Sequence, residues 1–364
     1  MLEKLALTFI PKVGCKSLRQ LIDITGSAEK VFELKHSDLV QIFGNHTDII
    51  DAIEHKTTFA RAEEELAFAE KHHIKILWFT DANYPQRLNR PDCEDTPPLL
   101  YYIGDADLNA QKVVSIVGTR RATEYGKEMT LRLVKGLQQE GILVVSGLAY
   151  GIDTASHKAA REFGLPTVGV VAHGLDTLYP PQNRSLAKEM ARSNGGLITE
   201  YPSRTAIHPS YFPARNRIIA ALSDAVVVVE AGVKGGALIT ANLANGYHRD
   251  VLAFPGRVGD KYSEGCNRII SNGKATLVQD SDELFAIMRW ERKASPAARQ
   301  QRLVLDLTGD QTTIYNILSA QGPMPIEEMA HFCDLPLPKI ATELLGLELK
   351  GICKCLPGKV YKLA

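Results

Sequence analysis

The stretch SIVGTRRATEYGKEM, residues 115 to 129, passes from an apolar β-rich run through a single glycine, Gly118, into Thr119, Arg120 and Arg121. A turn of that composition is suited to an anion, because guanidinium forks match phosphate oxygens two at a time. Comparable turns recur along the chain. After ILVV come Ser146, Gly147 and Gly151, after VGVVA come His173 and Gly174, and after VVVVE come Lys234, Gly235, Gly236 and Thr240. Glycine lets backbone N–H groups approach a ligand, and a helix N-terminus adds about half a positive charge, so phosphate is the natural guest. Glycine is also the default of any tight turn. The inference therefore rests on four turns together, with Arg120 and Lys234 at their ends, which make a groove longer than one phosphate.

A second stretch, HPSYFPARNRII (208 to 219), sets Arg215, Asn216 and Arg217 directly ahead of an expected apolar helix, with Tyr211 and Phe212 before Pro213. Guanidinium groups suit phosphates and an aromatic face accepts a base. The alternative stays open: Arg217 pairs with a carboxylate such as Glu200 or Glu230, and the aromatics are core. Catalytic chemistry has little support. Ser146 lacks the G-x-S-x-G elbow, His157 lies one helical turn from Asp153 as a structural partner would, and Asp153, His157 and His173 form no metal-ligand spacing. No catalytic residue, metal or cofactor is expected. A dinucleotide would call for G-x-G-x-x-G at the first turn, and Gly118-Thr119-Arg120-Arg121 does not supply it.

The elements that position these residues follow from the apolar pattern. IKILWF, KVVSIVG, ILVVSG, TVGVVAHG, LITEY, DAVVVVE and VLAFPG are short, nearly continuous β-branched runs, and amphipathic helical stretches lie between most of them. Strands apolar on both faces imply a parallel sheet covered on both sides. The fold class is α/β, an extended Rossmann-like parallel sheet in which ligands lie beyond the carboxyl ends of the strands. IKILWF and the segment DCEDTPPLLYYIGD read as an extension of its front edge.

Residues 1 to 70 read as helices only, with the last, TDIIDAIEHKTTFARAEEELAFAEKH, as one long helix. They form a helical domain, SAM-like or helix-hairpin-helix-like. The sheet domain occupies 71 to 290. The polar, basic 291 to 305 is a linker, and 306 to 364 has the helices and final hairpin of a winged helix.

Composition bounds the rest. With 364 residues, 45% hydrophobic and 23% charged, the chain has room for two or three domains. Lys plus Arg equals Asp plus Glu at 42 each, so any polyanion site must be a local cluster. Six scattered cysteines fit reduced thiols in a cytoplasmic protein. The N-terminus is too weakly apolar for a signal peptide, and no run approaches the ~18 apolar residues of a membrane span.

The ordered motifs SIVGTRRATEYG, VVSGLAYGIDTASHKAA, VGVVAHGLDTLYPPQN, LITEYP, FPARNRIIAALSDAVVVVEA, GGALITA and RDVLAFPGR followed by GCNRII closely resemble the DNA-processing protein family of bacterial transformation, DprA or Smf. The resemblance covers the central domain almost end to end and extends to both flanks. It implies a cytosolic homodimer that binds single-stranded DNA, loads the RecA recombinase and overcomes single-strand-binding protein. Carried over, Arg120 matches a phosphate contact, Gly147 and Gly151 a backbone cradle, Phe212 a base-stacking aromatic, and Arg215, Asn216 and Arg217 the family's FPxRNR element. Thr119, Arg121, Ser146, His173, Gly174, Asn183, Arg184, Lys234, Gly235, Gly236 and Thr240 complete the expected strand contacts. Two positions depart: Pro209 stands where many members carry Lys or Arg, and Gly235 where many carry Ser.

The competing class is an enzyme. The run GVKGGALITANLA is similar to glycine turns of nucleoside-monophosphate phosphoribohydrolases, whose P-G-G-x-G-T-x-x-E motif brings a glutamate to hydrolysis. Here that threonine and that glutamate are missing.

Overall fold

A computed structural model describes residues 1–292, 307–333, 335–356 and 358–363. Most of the expected linker, 291 to 305, lies outside them. The chain divides into two compact units, Met1–Lys293 and Ala294–Ala364.

The first unit opens with α1 (Leu2–Thr8), α2 (Cys15–Thr25), α3 (Ala28–Val31), α4 (His36–Phe43), α5 (Thr47–Glu54) and α6 (Phe59–Lys71). The single long helix expected at the end of this run is two. Lys56 takes a left-handed φ of 51°, and the β-branched pair Thr57-Thr58 beside it disfavours helix. Leu5, Leu18, Leu39, Ile53 and Ala62 from these helices share one continuous apolar core with Leu77, Leu100 and Tyr101 of the adjoining strands.

β1 (Lys75–Trp78), β2 (Leu99–Gly104) and β3 (Lys112–Val117) follow, then α7 (Glu124–Gly136), β4 (Ile142–Ser146), α8 (Ile152–Glu162), β5 (Thr167–Val170), α9 (Arg184–Arg192) and β6 (Gly195–Thr199). The unit ends with α10 (Tyr211–Leu222), β7 (Ala225–Val228), α11 (Gly236–Gly246), β8 (Asp250–Ala253), α12 (Glu264–Ser271), β9 (Thr276–Leu277) and α13 (Ser281–Met288). The nine strands form one sheet in the order β1-β2-β6-β5-β4-β3-β7-β8-β9. β1–β2 and β2–β6 are antiparallel and the other pairs parallel. Front-edge extension is thus an antiparallel pair on a parallel core.

Alternate residues of β3 face opposite layers. Val114 and Ile116 pack with Leu133 and Val134 of α7 and Phe285 of α13, whereas Val113 and Val117 share a core with Ile218 and Ile219 of α10 and Ala241 of α11. Both faces are covered, which is why the strands are apolar throughout. Strand order reverses at β3: the chain winds outward to β6 on one side and from β7 to β9 on the other. The turns after β3 and β7 therefore diverge into opposite layers and leave a crevice between them, where ligands of such sheets bind.

The second unit contains α14 (Gly309–Gln321), β10 (Met324–Pro325), α15 (Ile326–Met329), α16 (Leu337–Leu349), β11 (Cys353–Leu356) and β12 (Val360–Leu363). Its three-stranded sheet has the order β10-β12-β11, and Ile314, Leu318, Met329, Ile340, Leu344 and Leu347 fill its core. This is the expected winged helix. No helix among the described residues is long and apolar enough to cross a membrane.

Candidate functional site

The turn after β3 is fixed before any ligand arrives. Thr119 N–H donates to the Glu230 carbonyl at 2.7 Å. Thr123 donates to the Glu230 carboxylate twice, from its N–H at 2.9 Å and from its hydroxyl at 2.5 Å. Glu230 ends a run of four valines and is buried, and a buried acid must be paired in this way. Thr123 also caps α7 by accepting from Gly126 N–H, and a Cβ at Gly126 would lie 2.1 Å from the Glu230 carboxylate. From the other side Ile152 N–H donates to the Thr119 carbonyl. Gly151 (φ 78°) comes so close that a Cβ there would lie 2.1 Å from the same oxygen. Arg120 is held exposed at the apex of this pinned turn, with Arg121 exposed beside it.

The Arg120 guanidinium stands 5.4 Å from the centre of the Phe212 ring. Phe212 and Tyr211 were expected ahead of the helix; they are its first turn, because Pro213 falls within that turn, where a missing N–H costs no helical hydrogen bond. Tyr179 packs on Phe212 with ring centres 5.5 Å apart. The opposite wall is the start of α11, whose N-cap Gly235 provides no side-chain cap. Leu238 N–H donates back to the Gly235 carbonyl at 3.0 Å, while the amides of Gly236 and Ala237, ahead of it, are the ones a helix start leaves for an outside partner. Asn216 bridges the walls by donating to the Gly236 carbonyl at 3.4 Å. The enclosed groove, about 540 Å³, is lined by Thr119, Arg120, Tyr179, Phe212, Asn216 and Gly236 among others.

Beneath it lies a buried layer. Arg215 donates to the carbonyls of Gly147 and Val170, tying the ends of β4 and β5 together. Burial pulls its pKa down, to about 10, with Asp153 opposing the shift, so it stays charged at neutral pH. Burial pushes the Asp153 carboxyl up, and Arg215 offsets part of that. A Cβ on Gly147 would strike both partners, at 2.4 Å from Arg215 and 2.7 Å from Asp153.

Several expected site residues belong to this supporting layer and not to the groove surface. Ser146 is fully buried and donates to the Ile116 carbonyl at 2.6 Å. Asn183 donates to the Leu148 carbonyl and to Thr154. His173 Nε2 accepts from Tyr179 N–H at 3.1 Å while its Nδ1 faces the Gly174 carbonyl at 2.9 Å. Burial pulls its pKa down, and the neutral ring fixes the loop that presents Tyr179. Gly174 is pressed against the Pro202 carbonyl, whereas Thr240, though buried, does line the groove. Arg217 points away from the groove and pairs with Glu200. Arg184 and Lys234 are exposed. Two residues given no binding role from the sequence, Tyr179 and Glu230, prove central. The available signals were an aromatic in a strand-end loop, held by Pro180-Pro181, and an acid at the end of a buried strand.

These features define an extended Rossmann-like protein with a cation- and aromatic-rimmed groove across its strand ends, followed by a winged helix. The family model described as DNA recombination-mediator protein A matches residues 75–289, and that described as DprA winged helix domain matches 294–359. The chain belongs to the DprA/Smf family of DNA-processing proteins. It is 34% identical over 330 residues to Protein Smf of Synechocystis, covering 81% of this chain and 82% of that one. It is 31% identical over 360 residues to a putative DNA processing protein DprA of Mycobacterium tuberculosis, covering 97% and 92%. Among solved structures, the DNA processing protein A of Streptococcus pneumoniae superposes with a TM-score of 0.68 at 30% identity, over 80% of this chain and 97% of that one. The Helicobacter pylori protein, described for its single-stranded DNA binding mode, gives 0.54 at 30% identity over 60% and 97%.

Proposed function

We propose that this protein binds single-stranded DNA along the groove, as a cytoplasmic homodimer that protects the strand and loads RecA past single-strand-binding protein, without catalysing a reaction itself. The observation that carries the reading is Arg120 standing over Phe212 at the rim, opposite the open N-terminus of α11. A cation beside a ring offers a phosphate and a base their partners at the spacing of one nucleotide, and it reads no sequence. In this reading Thr119, Arg120, Arg121, Phe212, Asn216, Lys234, Gly235 and Gly236 touch the strand, with Tyr179 as a second stacking face. Ser146, Gly147, Gly151, His173, Gly174, Asn183, Arg215 and Thr240 hold those groups in place. The division into helices to residue 70, sheet to 290, linker to 305 and winged helix from 306 is part of the proposal.

The test is fluorescence anisotropy of a labelled oligothymidylate at two salt concentrations. Arg120→Ala should weaken binding and lower the slope of log K against log salt by about 0.7, the share of one phosphate on a single strand. Phe212→Ala should cost about 1–3 kcal/mol, the worth of one stacked base, with the salt slope unchanged. Absence of strand binding by the wild type, or hydrolysis of a nucleoside monophosphate, would overturn the reading in favour of an enzyme.

A further inference from the structure

Both aromatic rings of the groove are carried by loops that converge on one point of the N-terminal helical segment. Glu65, on α6, is 1% exposed. Its carboxylate accepts from Ser203 N–H at 2.9 Å and from the Ser203 hydroxyl at 2.6 Å, and Arg61, one turn earlier, lies 2.7 Å away. Arg61 also donates to the Ser203 carbonyl at 2.8 Å. Every polar group of Ser203 is thereby held by α6. The next residue, Arg204, pairs with Glu64 at 2.7 Å, and its N–H donates to Asp176 at 2.9 Å.

Those contacts run in two directions. Ser203 belongs to the loop between β6 and α10, which delivers Phe212, and Tyr201 of that loop stacks on Tyr211 with centres 4.5 Å apart. Asp176 belongs to the loop after β5, which delivers Tyr179. Asp176 and Pro202 close on Gly174 so tightly that a Cβ there would meet both within 2.5 Å. The two loops thus form one body, and the α6 carboxylate is its anchor.

We propose that Glu65 is a positioning residue for strand binding: through Ser203 it sets the Tyr179–Phe212 wall at stacking distance, so the N-terminal helices tune the affinity of a groove they do not line. The proposal rests on the single-strand reading above. A buried carboxylate with three donors is the right device, since it orients a backbone N–H, a hydroxyl and a guanidinium at once and tolerates no loose arrangement.

Glu65→Gln keeps the shape, but its amide group cannot accept from Arg61. Ser203→Ala removes the hydroxyl's hydrogen bonds with Glu65 and Arg61 and leaves the charge pair between those two, so it serves should the first variant fold poorly. Both are measured in the full chain against labelled oligothymidylate, with a melting curve to confirm folding. The expected result is a roughly 5- to 10-fold weaker Kd for Glu65→Gln and a smaller loss for Ser203→Ala, within the range of one impaired stacked base. The salt slope should stay that of the wild type, because no phosphate contact is removed. In a Phe212→Ala background the further loss should shrink to less than about 2-fold, as for residues acting through one another. Folded variants that bind as the wild type does, or losses fully additive with Phe212→Ala, would overturn the positioning role and leave the groove standing. A wild type that binds no strand would bring down the single-strand reading itself.

Discussion

Replacing Glu230 with alanine tests whether the β3 turn is built in advance. Its carboxylate accepts the Thr123 N–H and hydroxyl at 2.9 and 2.5 Å, and hydrogen bonds to a charged group contribute about 1.5–3 kcal/mol each. The sum is an upper bound, because a hollow of about 840 Å³ borders Glu230 and water can enter to satisfy part of what is lost. We expect Glu230→Ala to cost about 2–4 kcal/mol. Glu230→Gln should cost about 1 kcal/mol, since its carbonyl still accepts the N–H and its amide can donate to the Thr123 hydroxyl. For a unit of this size each kcal/mol lowers Tm by about 2–4 °C, so the alanine variant should melt roughly 4–16 °C lower. Released at Thr123, the turn no longer holds Arg120 over Phe212, and oligothymidylate affinity should fall roughly 3- to 10-fold, a local ordering cost of about 1 kcal/mol. Calorimetry and anisotropy on the same samples decide it. An alanine variant that melts within about 1 °C of wild type and binds unchanged would refute the claim that this carboxylate anchors the turn.

Two further outcomes follow from the buried layer. Arg217→Ala, which strands the half-buried Glu200 carboxylate, should lower Tm while leaving the salt slope of strand binding as it is; a slope reduced by about 0.7 would place Arg217 on a phosphate instead. His157 is fully buried and lies 2.7 Å from the Thr167 hydroxyl, which itself donates to the Val144 carbonyl, so Nδ1 carries the proton. Burial, with Arg215 adding to it, pulls the His157 pKa from 6.5 down to about 3. The unfolded chain therefore takes up this proton first, and the neutral ring's contribution is complete above about pH 6.5 and is lost as pH falls toward 3, at up to about 1.4 kcal/mol per pH unit. Denaturant melts between pH 6.5 and 4 should show that slope, and His157→Leu should flatten it; equal slopes in both proteins would refute the assignment.

Much of this architecture was legible because its cause is local. Strands apolar on both faces require covering layers, and the turns at their carboxyl ends could be named from their glycines. What the residues did not reveal is direction. From the sequence, Arg215 and Arg217, flanking Asn216, stand open between phosphate contact and a structural role, with Glu200 or Glu230 as a partner for Arg217, and direction decides between them, since successive residues of a helix point about 100° apart. Once Pro213 falls within the first turn of α10, the three must diverge: Arg215 goes into the core, Asn216 to the groove and Arg217 to Glu200. The glycines divide for a similar reason. Gly147, Gly151 and Gly174 are small because protein presses on them, while Gly236 has open space where a Cβ would be. Sequence distinguishes these two uses poorly, since both ask only for the absence of a side chain.

The same division explains how a chain with no net charge can serve a polyanion. Arg61, Arg87 and Arg217 meet Glu65, Asp224 and Glu200 in ion pairs that hold the fold together, and much of the positive charge is cancelled where it stands. Among the described residues Arg120 enters no ion pair and lies instead over an aromatic ring, while of the acids near it Glu230 is buried and turned toward Thr123 and Asp153 is buried beside Arg215. The field at the groove thus comes from which cations are left unpaired, and total composition does not reveal it. Binding built this way depends on a few charges and a stacking wall, so its salt slope should be shallow and its loss on removing Phe212 comparable to that on removing Arg120.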